Sequence, residues 1–141
     1  MVEITRAENI HEQEIMNLLQ SNNLPLPDLV SSDFFIAMEN KQVIGVIGLE
    51  RYGNDGLLRS MVVSAGHRGK GVAAELVRVL EQYAYEKKLG AIYLLTETAP
   101  FYFEQKGYSK INRQEVPQLL LTASEFTHLC PVSAIVMKKL V

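Results

Sequence analysis

Two hydrophobic periods alternate along this chain, and together they sketch its elements. Residues 2–6 read as a short opening strand. Asn9, with Glu12 three positions on, has the spacing of a capping box, and Ile15, Leu18 and Leu19 supply an apolar helix face up to about Asn22. Residues 24–28 contain Pro25 and Pro27 and read as loop. Strand patterns then cover 33–39, 42–52 and 57–63. They are joined by Asn40-Lys41 and by Gly53-Asn54-Asp55-Gly56, and links this short predict an antiparallel meander. The clearest helix is 71–88. Val72, Leu76, Val77, Leu80, Tyr83 and Ala84 share one face, Glu75, Arg78, Glu81 and Glu86 lie elsewhere, and Gly90 follows as a stop. Beyond it come a strand at 91–96, a short helix at 99–106 ending at Gly107, and strands at 108–113 and 133–140, with 117–126 helical between them. This order predicts a mixed α/β fold, with a largely antiparallel central sheet flanked by helices.

Composition narrows the functional classes. The 141 residues suit one domain, 1–141, and 48% hydrophobic with 21% charged residues is ordinary globular usage. Fourteen Lys and Arg against 16 Asp and Glu give a formal charge of −2, which lacks the basic excess of a general nucleic-acid binder. The single cysteine, Cys130, excludes an intrachain disulfide framework and a Cys-rich zinc site, and His11 and His128 have no companions at metal-ligand spacing. No basic-then-apolar leader and no apolar run near 18 residues is present, so the expected location is the cytoplasm, with no membrane partner and no metal.

Candidate chemistry concentrates in residues 57–74. An apolar strand runs into Ser64-Ala65-Gly66-His67-Arg68-Gly69-Lys70-Gly71-Val72-Ala73, which opens the long helix. Glycines at 66, 69 and 71 permit tight turning and close approach of backbone to a ligand. The helix start has no Ser, Thr, Asp or Asn cap, so its first N–H groups suit an anion, assisted by Arg68 and Lys70. The plainer alternative is a glycine-rich turn with solvated cations. A mononucleotide loop needs Lys-[Ser/Thr] after its last glycine, but Val72-Ala73 follows Gly71. A dinucleotide fingerprint fits loosely at Gly69-x-Gly71-x-x-Ala74. Its acidic partner Glu97 stands 28 residues beyond Gly69, where about 20 is usual.

The string Arg68-x-x-Gly71-x-Ala73 resembles the pyrophosphate signature of the GNAT superfamily of acyl-CoA N-acyltransferases, and Ala99-Pro100-Phe101-Tyr102-Phe103-Glu104-Gln105-Lys106-Gly107-Tyr108 resembles that family's downstream segment. The resemblance covers nearly the whole chain. It implies a fourth strand splayed from the fifth to form a cleft, with acetyl-CoA as cosubstrate. Carried over, Met61, Val62 and Val63 present fourth-strand backbone to pantetheine. Arg68, Gly69, Lys70, Gly71, Val72 and Ala73 cradle the pyrophosphate, while Thr96 and Phe103 stand at further cofactor positions. The implied reaction is acetyl transfer to an amine that must lose a proton, for which Glu50 and Glu97 are candidate bases. Glu50 also reads as a solvated charge at a strand end, and Glu97 as a residue at a strand exit. The family's usual thiolate-protonating tyrosine position is Phe103 here. Tyr102 is adjacent, but on a helix it points about 100° away, and Thr96 stands where asparagine is frequent.

Two further strings, residues 122–134 and 94–99, resemble the N-acetyltransferases of arsenic-resistance operons, some of which act on arsinothricin or phosphinothricin. The connection 114–130 is expected to overhang the acceptor side. An amino acid with a second anionic group needs a guanidinium, for which Arg59 is the candidate, with Arg51 read as a surface charge. Strand alternation keeps Arg59 and Ser60 from pointing at one ligand. Three readings stand: acetylation of a small amino-acid-like amine, acetylation of a protein N-terminus or lysine, and a non-catalytic acyl-CoA-binding domain. The family resemblance also makes a homodimer an expectation.

Overall fold

The computed structural model describes residues 2–24, 32–123, 126 and 134–141. Contacts divide the chain into two compact units, Met1–Glu50 with Leu58–Tyr83, and Arg51–Leu57 with Ala84–Val141. In the first unit, β1 (Glu3–Arg6) pairs antiparallel with β2 (Ser32–Glu39), and β2 pairs antiparallel with β3 (Gln42–Tyr52). The other neighbour of β3 is β4 (Asp55–Val63), whose residues from Leu58 onward lie in this unit. The β2–β3 link is the predicted two-residue turn. Asn40 and Lys41 both take left-handed backbone, φ 52° and 65°, as a primed hairpin turn requires.

Helix α1 (Glu12–Ser21) begins later than its sequence suggests, after a 3₁₀ turn at Asn9–His11. The cap is Glu8 rather than Asn9. The Glu8 N–H donates to His11 Nδ1 at 3.0 Å, and the Glu8 side chain accepts the His11 N–H in return. An imidazole three residues into the turn thus replaces the Asn9–Glu12 box. Ile15 and Leu19 from α1 join Phe34, Ile36, Val46 and Val62 in one buried cluster. Helix α2 (Val72–Glu86) buries Val72, Leu76, Val77 and Leu80 within this unit. Gly45 on β3 lets α2 come close, since a Cβ there would stand 3.2 Å from Leu76 and 3.4 Å from Val72.

The second unit holds the start of β4 beside β5 (Ala91–Thr96), in parallel register from Asp55–Ala91 to Leu57–Tyr93. After α3 (Pro100–Gln105) and β6 (Ser109–Ile111), the last strand β7 (Ile135–Leu140) pairs antiparallel with both β5 and β6. The β5–β7 ladder continues to Thr96–Ile135, three residues past the end of the parallel ladder. One parallel pairing among antiparallel ones, with helices in the connections, is the mixed α/β class expected. The helix stop also differs from expectation. Lys88 (φ 62°), not Gly90, takes the left-handed position, and Leu89 N–H bonds back to Ala84.

Of the segment expected to be helical over 117–126, Leu120–Thr122 forms a 3₁₀ turn, and another such turn, Arg113–Glu115, precedes the segment. Asn112 and Glu115 form a reciprocal cap, and Leu120 N–H bonds to Pro117 O three residues back. Its apolar residues serve packing instead. Val116, Leu120 and Ala123 lie in a buried cluster with Leu57, Ala91, Tyr93 and Val136. Residues 124–125 and 127–133, including Cys130, His128 and most of the 122–134 string, lie outside the described residues, as do Pro25 and Pro27.

Candidate functional site

The loop between β4 and α2 is built of exposed backbone on a fastened base. Gly69 and Gly71 take φ of 78° and 80°, left-handed values that a side chain resists, and no atom lies within 4 Å of where a Cβ would stand on either. Gly66 does not take left-handed backbone, so glycine is not conformationally required there. Arg68, Lys70 and Gly71 are exposed, Ala73 is half-buried, and Val72 is buried where α2 starts. The Arg68 side chain turns inward. Its Nε donates to the Val63 carbonyl at 2.9 Å and its Nη2 to Asn22 Oδ1 at 2.6 Å, so this residue ties the loop down while its main chain faces outward. A cavity of about 290 Å³ beside the loop is lined by Val2, Ile4, Lys70, Gly71, Glu75 and Arg78, among others. An open run of left-handed glycines at a helix start, flanked by a lysine, suits a diphosphate. Of the β4 residues expected to face a cofactor, Val62 and Val63 are buried and Met61 is half-buried.

Near the C-terminal end of β3, Glu50 and Arg59 form a buried ion pair, Nη1 to Oε2 at 2.9 Å, their side chains 9% and 1% exposed. Ser32 Oγ donates to the same carboxylate oxygen at 3.3 Å. Arg59 Nε donates to Ser60 Oγ at 3.2 Å. That contact corrects the argument from strand alternation. Ser60 sits at φ 57°, outside the β region, so its side chain swings to meet that of its neighbour. Glu50 and Arg59, expected in separate tasks, are coupled by the fold. Arg51 is exposed, as read.

Within the second unit, Glu97 is exposed just past β5. Thr96 Oγ1 accepts the Ala99 N–H at 3.0 Å, so its hydroxyl caps the turn into α3. Phe103 is buried, with its ring edge-on to Tyr102 (5.3 Å between centroids) and to Tyr108 (5.6 Å). Tyr102 is half-buried, but its hydroxyl is enclosed and has no hydrogen-bond partner among the described residues. Burial raises its pKa above the ordinary phenol value, so the proton is retained through neutral and mildly alkaline pH.

Sequence reasoning missed a third set of contacts. His67 Nδ1 lies 2.8 Å from Ser64 Oγ, and His67 Nε2 lies 3.2 Å from Glu39 Oε1 at the far end of β2. Glu39 and His67 are 28 positions apart, and no local pattern joins them. Among the described residues no group of three or more His, Cys, Asp or Glu could hold a metal ion, and no helix is long and apolar enough to cross a membrane.

Residues 5–108 match the model of the Acetyltransferase (GNAT) family. An uncharacterized N-acetyltransferase of Chlorobaculum tepidum is 32% identical over 87 residues, 61% of this chain and 56% of that relative, so the match spans little more than half of its length. Among solved structures, a Mycobacterium tuberculosis protein crystallised with CoA superposes with a TM-score of 0.83 at 19% identity, covering 99% of both chains. N-acetylglutamate synthase of Neisseria gonorrhoeae, complexed with coenzyme A and N-acetyl-glutamate, gives 0.84 at 14% identity, covering 99% of this chain and 35% of that one. At these identities the structural likenesses establish the fold.

Proposed function

Since the chain belongs to the GNAT acetyltransferase family, we propose that it transfers an acetyl group from acetyl-CoA to the amine of a small amino-acid-like substrate, with residues 1–141 as one catalytic domain. The observation that carries this reading is the open, left-handed Gly69–Gly71 backbone at the start of α2, which suits the diphosphate of CoA. Acetyl-CoA supplies an acyl group already activated as a thioester. The backbone of residues 68–73 binds the diphosphate, Met61, Val62 and Val63 line the pantetheine, and Thr96 and Phe103 stand at the remaining cofactor positions through main chain and ring.

In the chemical step the acceptor nitrogen bonds to the acetyl carbonyl carbon while the carbon–sulfur bond breaks. Glu50 takes the proton leaving nitrogen, directly or through water, and Tyr102 gives its retained proton to the departing sulfur. Glu97 is the alternative base. Arg59 keeps Glu50 in place and, as the cationic half of the pair, faces the acceptor's anionic group. A carboxylate and a guanidinium held side by side are complementary to the opposite charges of an amino acid, which supports the small-substrate reading and the likeness to the arsinothricin class. An intracellular cosubstrate fits a cytoplasmic enzyme, and gel filtration reads out the homodimer that the family suggests.

The test follows free thiol as purified protein turns over acetyl-CoA with a panel of amino acids, phosphinothricin-like amino acids, peptides and polyamines. Release with amino acids supports the proposal, release with peptides alone moves the acceptor to protein, and CoA binding without release on any amine leaves a non-catalytic binder. In the active case Tyr102→Phe is expected to lower kcat by about 10²–10⁴-fold, the usual worth of a general acid. Its stability should be unchanged or slightly higher, because the deleted hydroxyl is enclosed without a partner.

A further inference from the structure

We propose that His67 is a positioning residue for the diphosphate loop, clamping its base between Ser64 and Glu39. The inference rests on the reading of residues 68–73 as the diphosphate site and adds a residue to it. Three sets of contacts converge on the base of the loop. The His67 ring bridges Ser64 Oγ, where β4 has just ended, to Glu39 Oε1, where β2 ends, at 2.8 and 3.2 Å. Ser64 is itself anchored, its N–H donating to the Ile44 carbonyl on β3 at 2.8 Å, and His67 N–H closes the turn onto Ser64 O at 3.0 Å. The next residue, Arg68, is fastened to Val63 O and Asn22 Oδ1. Ser64, His67 and Arg68 are therefore held by neighbouring elements, and from Gly69 the backbone stands open.

A diphosphate is recognised by several N–H groups at once, so each must already point inward when the ligand arrives. Ordering a loose loop on binding subtracts from affinity, and a rigid base removes that loss. The imidazole suits this duty because its two nitrogens lie at opposite edges of a flat ring. With the proton on Nε2 it donates to Glu39 and accepts from the Ser64 hydroxyl, and when doubly protonated it donates to both, so the bridge holds in either state.

The experiment measures CoA affinity by calorimetry and steady-state kinetics with two donors, acetyl-CoA and S-acetylpantetheine, which lacks the diphosphate. His67→Ala is expected to raise the CoA dissociation constant and the KM for acetyl-CoA about tenfold, while kcat/KM with S-acetylpantetheine changes less than twofold. Glu39→Ala should do nearly the same, and the double variant should add little to either, since both remove one bridge. His67→Gln, which can still reach one partner, should recover part of the loss. CoA affinity within twofold of wild type in both single variants overturns the proposal, as does an equal loss with both donors, which marks a general structural role. Wild-type protein that does not bind CoA overturns the proposed function itself and takes this inference with it.

Discussion

The Gly69–Gly71 loop and the Glu50–Arg59 pair lie in the same compact unit and are built on opposite plans. The loop presents backbone. Its side chains at 68–71 are exposed or absent, and its shape depends on two glycines at φ near 80°. The pair presents side chains, both nearly closed off from solvent, and its shape depends on their mutual charge and on Ser32 and Ser60. Tolerance should differ accordingly. A backbone site tolerates most changes that preserve φ and fails where a Cβ is added to a left-handed glycine. A buried ion pair fails when one member is removed and survives when both are replaced together.

The largest effect should come from splitting the pair. Arg59→Ala leaves the Glu50 carboxylate enclosed without its guanidinium, a situation that typically costs about 3–5 kcal/mol. Urea denaturation should show that loss, and the double change Arg59→Met with Glu50→Leu should restore most of it. A single variant as stable as wild type would show that solvent or another group compensates the carboxylate, and the contrast with the loop would collapse. Next in size is Gly71→Asp. A residue at φ 80° costs about 1–2 kcal/mol in strain, and the carboxylate repels a diphosphate, so CoA affinity should fall at least about a hundredfold, or roughly 2.7 kcal/mol. Gly71→Ala separates the two causes, because it keeps the strain and omits the charge. CoA binding to the Asp variant with native affinity would remove the diphosphate from this loop.

The same contrast explains what was legible in the sequence. The loop's determinants are six neighbouring residues, and glycine spacing reports left-handed backbone directly, so Gly69 and Gly71 stood out while Gly66 was over-read. The hairpin at Asn40-Lys41 is equally local. The pair depends on strands that must first find their register, and on a turn in the backbone at Ser60 that no strand pattern announces. Glu39 with His67, and Asn22 with Arg68 at 46 positions apart, are meetings created only by the sheet and α1 packing together. Over 117–126 the helical signal had another source. Residues apolar for the sake of the second unit's core mimic a helical face, and Leu120–Thr122 among them forms a 3₁₀ turn.

The smallest expected effect is the most informative about how the two plans meet. Ser60 holds a left-handed conformation with a side chain, as the loop does with none. Ser60→Gly relieves strain of about 1–2 kcal/mol. It also adds freedom to the unfolded chain worth about 0.5–1 kcal/mol and deletes the oxygen that accepts from Arg59, worth about 0.5–1.5 kcal/mol. These nearly cancel, so stability should move by less than about 1 kcal/mol, measured by urea denaturation, with CoA affinity unchanged because residues 68–73 are untouched. Ser60→Val, branched at Cβ, keeps and worsens the strain and should be the less stable of the two. If glycine instead costs well over the predicted margin, the Ser60 hydroxyl is an obligate third member of the pair. If it costs nothing and the Arg59→Ala loss is undiminished in its background, the backbone turn alone aims the guanidinium, and the pair rests on the same left-handed geometry as the Gly69–Gly71 loop.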